Sequence, residues 1–382
     1  MTDIVYKLDP EIIIGYDSVS RAGILCASLG GKALIITEQL LYEANAIGRL
    51  QAVLEQSGVE SILFDEISSQ SNAEETERAA DLARGARCNV VIGFGGLKTQ
   101  SIARMAARTA LSRFGLFEFL DSGKDNDPFI PYIAIPAFEP DLFSVANYFI
   151  AMDPRDRSVK QIKTPGGFCK AVIMDGGFFS GSLSGKHAST TVFDGFCTAV
   201  EAYCSAKAGF FSDSLLEQAI ALYGKMIKTQ PENFGPGFME SYVNAAFLTA
   251  MGSSISVPGI GTALAYSLSA KFPVAKSWCS TVILPYIMEK LAAARPDKMA
   301  KVAALMDEPV EGISVAEAAA MVPESIRHYM GLLQVPARLK EFNLSLDRLI
   351  PAAETARELE FVAYSPWTVA SENAFDILKQ AF

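Results

Sequence analysis

CNVVIGFGGLKTQSIARMAA, residues 88–107, is the stretch that decides the fold. It runs an apolar β-branched segment (Val90, Val91, Ile92) into a glycine turn (Gly93, Gly95, Gly96), then into a helix opening near Lys98 and Thr99. Glycines at such a turn let a phosphate approach the backbone, and the helix N-terminus offers unpaired N–H groups and the positive end of its dipole. A readable strand before the turn and helix after it favour a nucleotide-binding turn. The same glycines also suit a tight strand-to-helix loop on steric grounds alone.

Working outward, apolar β-branched runs recur at 12–15, 33–37, 62–64, 90–93 and 132–135, with a helical pattern at 72–86 whose Glu74, Glu75 and Glu77 load the positive dipole end. That alternation predicts a parallel sheet covered by helices on both faces. Segments 145–152 and 159–162, joined by Asp153-Pro154-Arg155-Asp156, read as a hairpin, and 171–175 as one more strand. Beyond about Ser180 the strands stop, and helical periods dominate from Val192 onward, with breaks near 235–237, Pro258 and Pro309. The fold expected is α/β. An N-terminal Rossmann-like nucleotide-binding domain (1–179) precedes an all-helical domain (180–382), with a cleft between them for a small substrate.

Composition narrows the function classes. The chain has 382 residues, of which 50% are hydrophobic and 20% charged, which favours a large core and surface buried between subunits, hence a homodimer or higher homo-oligomer. A formal charge of −10, with no Lys/Arg cluster, argues against a nucleic-acid partner. Six cysteines are scattered without a C-x-x-C pair, as expected of reduced thiols in the cytoplasm. Residues 244–270 carry no charge, yet Gly252, Ser253, Ser254, Ser256, Pro258, Gly259 and Gly261 interrupt the run. Irregular backbone of that kind suits two buried helices and a tight loop rather than a membrane span.

GFGGLKTQSIAR, 93–104, resembles the G-x-G-G-G-K-T-x-D-x-A-K signature of glycerol dehydrogenases, within the iron-containing alcohol dehydrogenase and dehydroquinate synthase superfamily. IIIGYDSV, ALIITE, IPYIAIP, FDGFCTAVEAY, SVPGIGTALAYSL and AKSWCSTVILP extend the resemblance in order over nearly the whole chain. It implies the dehydroquinate synthase-like fold and an NAD(P)-linked oxidoreductase whose divalent metal, held by an Asp and two or three His, polarises a substrate oxygen.

The departures from that pattern are chemical. Asp194 stands at the first ligand position, but the others fall at Thr198, Thr262 and Lys276, and a further family histidine falls at Tyr266. The chain's two histidines, His187 and His328, align with no ligand. A hydroxyl is a poor ligand and an ammonium repels a cation, so no metal is expected. Lys276 would instead place a fixed cation beside Asp194, able to stabilise a developing oxyanion, with Tyr266 as proton donor. The alternative is a structural Lys276–Asp194 ion pair that fills a dead site.

On the cofactor side the third family glycine is Leu97, its acid is Ser101, and the hydroxyl-rich second loop reads AFEPDLFS (137–144). Gly93, Gly95, Gly96, Lys98 and Thr99 remain as candidates for the phosphates, although Lys98 and Thr99 also suit an exposed lysine and a helix cap. Glu38, closing the second strand, would accept from ribose hydroxyls and favour NAD over NADP, or merely open the next helix. His187 is placed in a solvent-facing loop, Asp213 at a helix cap, and Cys197 and Cys204 in packing. Three readings follow: a metal-independent dehydrogenase or carbonyl reductase, a non-catalytic nucleotide-binding or interaction subunit, and, weakest, a dehydroquinate-synthase-type lyase.

Overall fold

The computed structural model describes residues 6–43, 45–67, 73–122, 127–139, 141–178 and 185–382. The boundary at 179 and 180, Pro140 of the second loop and Asn72 at the expected helix start lie outside them. Contacts divide the chain into two compact units, 1–156 with 160–182, and 157–159 with 183–382.

Among the described residues the first unit has the strands β1 (Glu11–Gly15), β2 (Lys32–Thr37), β3 (Glu60–Phe64), β4 (Val90–Gly95), β5 (Tyr132–Pro136), β6 (Tyr148–Asp153), β7 (Ser158–Lys163) and β8 (Cys169–Asp175). Six form one sheet in the order β1-β8-β5-β4-β2-β3, and β6 pairs with β7 in a second. Every pairing in the large sheet is parallel. Its helices are α1 (Ala22–Leu29), α2 (Leu40–Glu43), α3 (Ala46–Gln56), α4 (Ala73–Gly85), α5 (Leu97–Thr109) and α6 (Leu116–Ser122). Parallel strands covered on both faces read as continuous apolar runs, and β2 accordingly buries Ala33 through Thr37. Full burial of a side chain such as Leu34 or Ile35 contributes about 1.5–3 kcal/mol.

Strand order reverses between β2 and β4. From β2 the chain crosses to β3 on one side, and from β4 to β5 on the other. The carboxyl ends of strands flanking such a reversal leave a crevice, the usual ligand position in open α/β sheets. Register then determines which residues meet there: Thr37 pairs with Phe94, which sets Glu38 beside Gly95.

The second unit is helical: α7 (Gly185–Cys204), α8 (Phe210–Ile227), α9 (Pro236–Ser256), α10 (Ile260–Lys271), α11 (Lys276–Ala294), α12 (Pro296–Leu305), α13 (Val315–Leu332), α14 (Ile350–Arg357) and α15 (Ser371–Ala381). Helix α7 buries every residue from Ser189 to Cys204, the mark of a central helix packed on all sides. Gly195 admits Tyr223 of α8, whose hydroxyl lies 2.3 Å from where a Cβ would stand. The uncharged run at 244–270 divides into α9 and α10, bent 109° apart at the 257–259 break. Among the described residues no single helix is long and apolar enough to cross a membrane.

Two expectations change. Helix α7 opens at Gly185, so His187 stands on its first turn, half-buried, its ring edge-on to Trp278 at 6.3 Å, and not in a solvent-facing loop. The Ser and Thr residues that disguised this start donate to carbonyls one turn back: Ser189 to Gly185, Thr190 to His187, Thr191 to Ala188. Asp213 caps nothing. The Ser212 hydroxyl meets the Gly209 backbone at the start of α8, while Asp213 accepts from Lys298 Nζ at 2.8 and 2.9 Å.

Candidate functional site

The glycine turn lies at the β2–β4 reversal, and its donors already have an acceptor. Glu38 Oε1 accepts from the Gly96 N–H at 2.7 Å and from the Thr99 hydroxyl at 3.0 Å. Gly96 is the N-cap of α5 and has no side chain, so Glu38 caps that helix from another strand. Gly95 has a φ of +154°, which glycine tolerates, and a Cβ there would lie 2.4 Å from Glu38 Oε1 and 2.9 Å from Thr99 Cβ. Thr99 is buried. Lys98 is half-buried, and burial pulls its ammonium below the ordinary lysine value against the opposing pull of Glu75 and Glu38. Structure thus brings Glu38, Gly95, Gly96 and Thr99 together. It turns a Glu38 oxygen onto the start of α5, a contact that neither sequence alternative, a ribose or the opening of the next helix, had given.

A residue that sequence reasoning passed over organises this turn. Gln100 Nε2 donates to the Gly93, Gly95 and Ile135 carbonyls at 2.8, 3.1 and 3.1 Å, and its Oε1 accepts from the Tyr132 hydroxyl. One amide thereby ties the carboxyl ends of β4 and β5. Gln100 is fully buried on a helix that also buries Thr99, Arg104, Arg108 and Thr109, and nothing in the sequence marked it out. The second loop is apolar in fact as well as in sequence: Phe138, Leu142 and Phe143 are buried, and Asp141 forms an ion pair with Arg104, both also buried.

In the helical unit, Asp194 (α7), Thr198 (α7), Thr262 (α10), Tyr266 (α10) and Lys276 (α11) converge. Lys276 Nζ donates to both Asp194 oxygens, at 2.6 and 2.8 Å, and stands 4.8 Å from the centre of the Tyr266 ring. Lys276 and Asp194 are both buried. The Thr198 hydroxyl lies 3.2 Å from that of Thr262, which donates to Glu201 at 2.7 Å. One carboxylate, two committed hydroxyls and an ammonium do not fit iron or zinc, which need deprotonated N, O or S donors around an unopposed cation. Among the described residues no group of three or more His, Cys, Asp or Glu is placed to hold a metal ion.

Glu201 is the second residue sequence missed. Its carboxylate accepts from the Gly261 N–H (2.6 Å) and the Thr262 N–H (2.8 Å), capping α10, and burial raises its pKa. Burial and the neighbouring Glu201 and Asp194 carboxylates also push the Cys197 thiol well up, and burial puts Cys204 at about 12. Neither is poised as a thiolate nucleophile.

A family model for the iron-containing alcohol dehydrogenases matches residues 9–176, and one for the C-terminal part of the Fe-containing alcohol dehydrogenase family matches 188–382. Sulfoacetaldehyde reductase of Bilophila wadsworthia (strain 3_1_6) is 25% identical over 355 residues, covering 91% of this chain and 90% of that protein. The 1,3-propanediol dehydrogenase of Citrobacter freundii is 22% identical, with 96% of each covered. A solved 1,3-propanediol oxidoreductase superposes with a TM-score of 0.90 at 21% identity over 100% of both chains, a likeness of fold.

Proposed function

We propose that this chain, which belongs to the iron-containing alcohol dehydrogenase family, is an NAD-linked oxidoreductase of small alcohols and aldehydes that works without a metal ion. One observation carries the metal-free reading: the Lys276 ammonium lies across both oxygens of Asp194, with Tyr266 against it.

In the reducing direction a carbonyl carbon gains hydride and its oxygen gains negative charge, then a proton. The nicotinamide supplies the hydride when bound. Two of the three ammonium protons of Lys276 are directed to Asp194, and in this reading the third goes to the substrate oxygen. A fixed cation in a dry site stabilises oxyanion character strongly, because no solvent must reorganise as charge develops. The Tyr266 phenol delivers the proton, and the adjacent ammonium stabilises the phenolate left behind. Asp194 keeps Lys276 aimed. Gly95, Gly96 and Thr99 are the place for the dinucleotide phosphates in this reading, at a position that Glu38 Oε1 reaches because Gly95 has no Cβ.

The relatives' own names support the reaction type, since they include a sulfoacetaldehyde reductase and an NAD-dependent methanol dehydrogenase. The test is NADH consumption with short aldehydes in chelator-treated buffer, by the wild type and by Tyr266→Phe. Turnover that falls by roughly a hundredfold or more in the variant supports the reading. No turnover with any aldehyde contradicts it and favours the nucleotide-binding subunit.

A further inference from the structure

The donors of a phosphate turn are occupied here by the protein's own anion. Glu38 Oε1 takes the Gly96 N–H and the Thr99 hydroxyl, within the hollow left by the missing side chain of Gly95. These are the donors, and this is the space, that a diphosphate oxygen needs at the start of α5. We propose that Glu38 is a built-in competitor for the dinucleotide diphosphate, and that binding requires this carboxylate to leave the turn. The inference rests on the cofactor reading above and adds a conformational step to it.

Three features support displacement over permanent closure. Glu38 is half-buried and sits one residue past the end of β2, so a side-chain rotation is enough to carry it toward solvent. The turn itself is held independently of Glu38, because Gln100 bonds the Gly93, Gly95 and Ile135 carbonyls from below. Lys98 stands on the first turn of the same helix, so the turn has a cationic side chain of its own beside it. Two anions cannot share one N–H and one hydroxyl, so a bound diphosphate excludes the carboxylate from the turn. The coupling is therefore competitive, and removing the internal anion strengthens the external one.

A ribose-accepting Glu38 predicts the opposite sign, which makes the test decisive. ADP, NADH and inorganic pyrophosphate are titrated calorimetrically into wild type, Glu38→Gln and Glu38→Ala at fixed ionic strength. The expected result is ADP and pyrophosphate binding at least tenfold tighter in Glu38→Ala, with Glu38→Gln between it and the wild type. Thermal unfolding confirms that each variant is folded, and the near-isosteric Gln variant keeps the test valid if the Ala variant is not. Unchanged or weaker binding in both variants, or no binding of any ligand to any of the three proteins, overturns the proposal. Aldehyde-dependent NADH turnover is measured alongside. Tightening without turnover overturns the oxidoreductase reading alone, and turnover without tightening overturns the Glu38 gate alone.

Discussion

Lys276 Nζ lies 2.6 and 2.8 Å from the two carboxylate oxygens of Asp194, both residues buried in the helical unit. The pair brings its own neutralisation, since each charge would be costly in that environment without the other. It also means that the retained family aspartate is already fully engaged by a cation belonging to the chain.

Replacing Lys276 with Met is therefore expected to act twice. Loss of the oxyanion-stabilising cation should raise the barrier by about 3 kcal/mol, roughly a hundredfold or more in kcat. Stability should fall by about 3–5 kcal/mol because the buried Asp194 loses its cation. Urea unfolding of Lys276→Met and of Lys276→Met with Asp194→Asn separates the effects: the double variant regains stability but not turnover. Recovery of turnover in the double variant would remove Lys276 from catalysis.

Rebuilding the family ligand set should reverse the chemistry. Thr198→His, Thr262→His and Lys276→His together place three imidazoles around Asp194 on α7, α10 and α11. The triple variant is expected to bind close to one zinc per chain, measured by elemental analysis, while the wild type binds far less. Equal metal content in both would show that the native residues already suffice.

How much of this was legible beforehand differs by residue. The parallel strands were readable because β-branched apolar runs buried on both faces have no polar alternation to confuse them: expected strands at 33–37 and 132–135 match β2 and β5 within a residue. The start of α7 was not, because Ser189, Thr190 and Thr191 look like a loop until their hydroxyls are seen bonding back along the helix. The convergence of Asp194, Tyr266 and Lys276 followed from the family resemblance. The Lys276–Asp194 ion pair was expected as well, whereas the Glu201 carboxylate that holds Thr262 was not. Glu38 was placed at a strand end, but its bonds to the glycine turn were not legible, since the Thr37–Phe94 register is what sets β4 beside it.

Gln100 should prove more costly to lose than its position on a helix suggests. Gln100→Leu takes the acceptor of the Tyr132 hydroxyl and one bond from each of three carbonyls, of which that of Gly95 keeps the Ala137 N–H, and a buried group left unsatisfied costs about 1–3 kcal/mol before relaxation. A fall in stability of more than about 2 kcal/mol is expected, with part recovered by adding Tyr132→Phe. A loss under about 0.5 kcal/mol would show that the turn does not depend on Gln100.

Glu201 gives a pH prediction with an unusual sign. Burial raises its carboxyl pKa, so the folded protein binds this proton more tightly than the unfolded chain does. Its contribution is then greatest below the unfolded glutamate value and is lost as pH rises from there through the folded pKa. The stability of wild type relative to Glu201→Gln should accordingly decline between pH 4 and pH 7, by denaturant titration at each pH. A relative stability that rises over that interval would contradict the assignment.

Metal content and turnover measured on the same chelator-treated sample test the central claim most directly. The account predicts NADH-dependent aldehyde reduction at an unchanged rate with well under a tenth of an equivalent of iron or zinc per chain, and no gain when either metal is restored. Activity that disappears on chelation and returns with one equivalent of metal would contradict it.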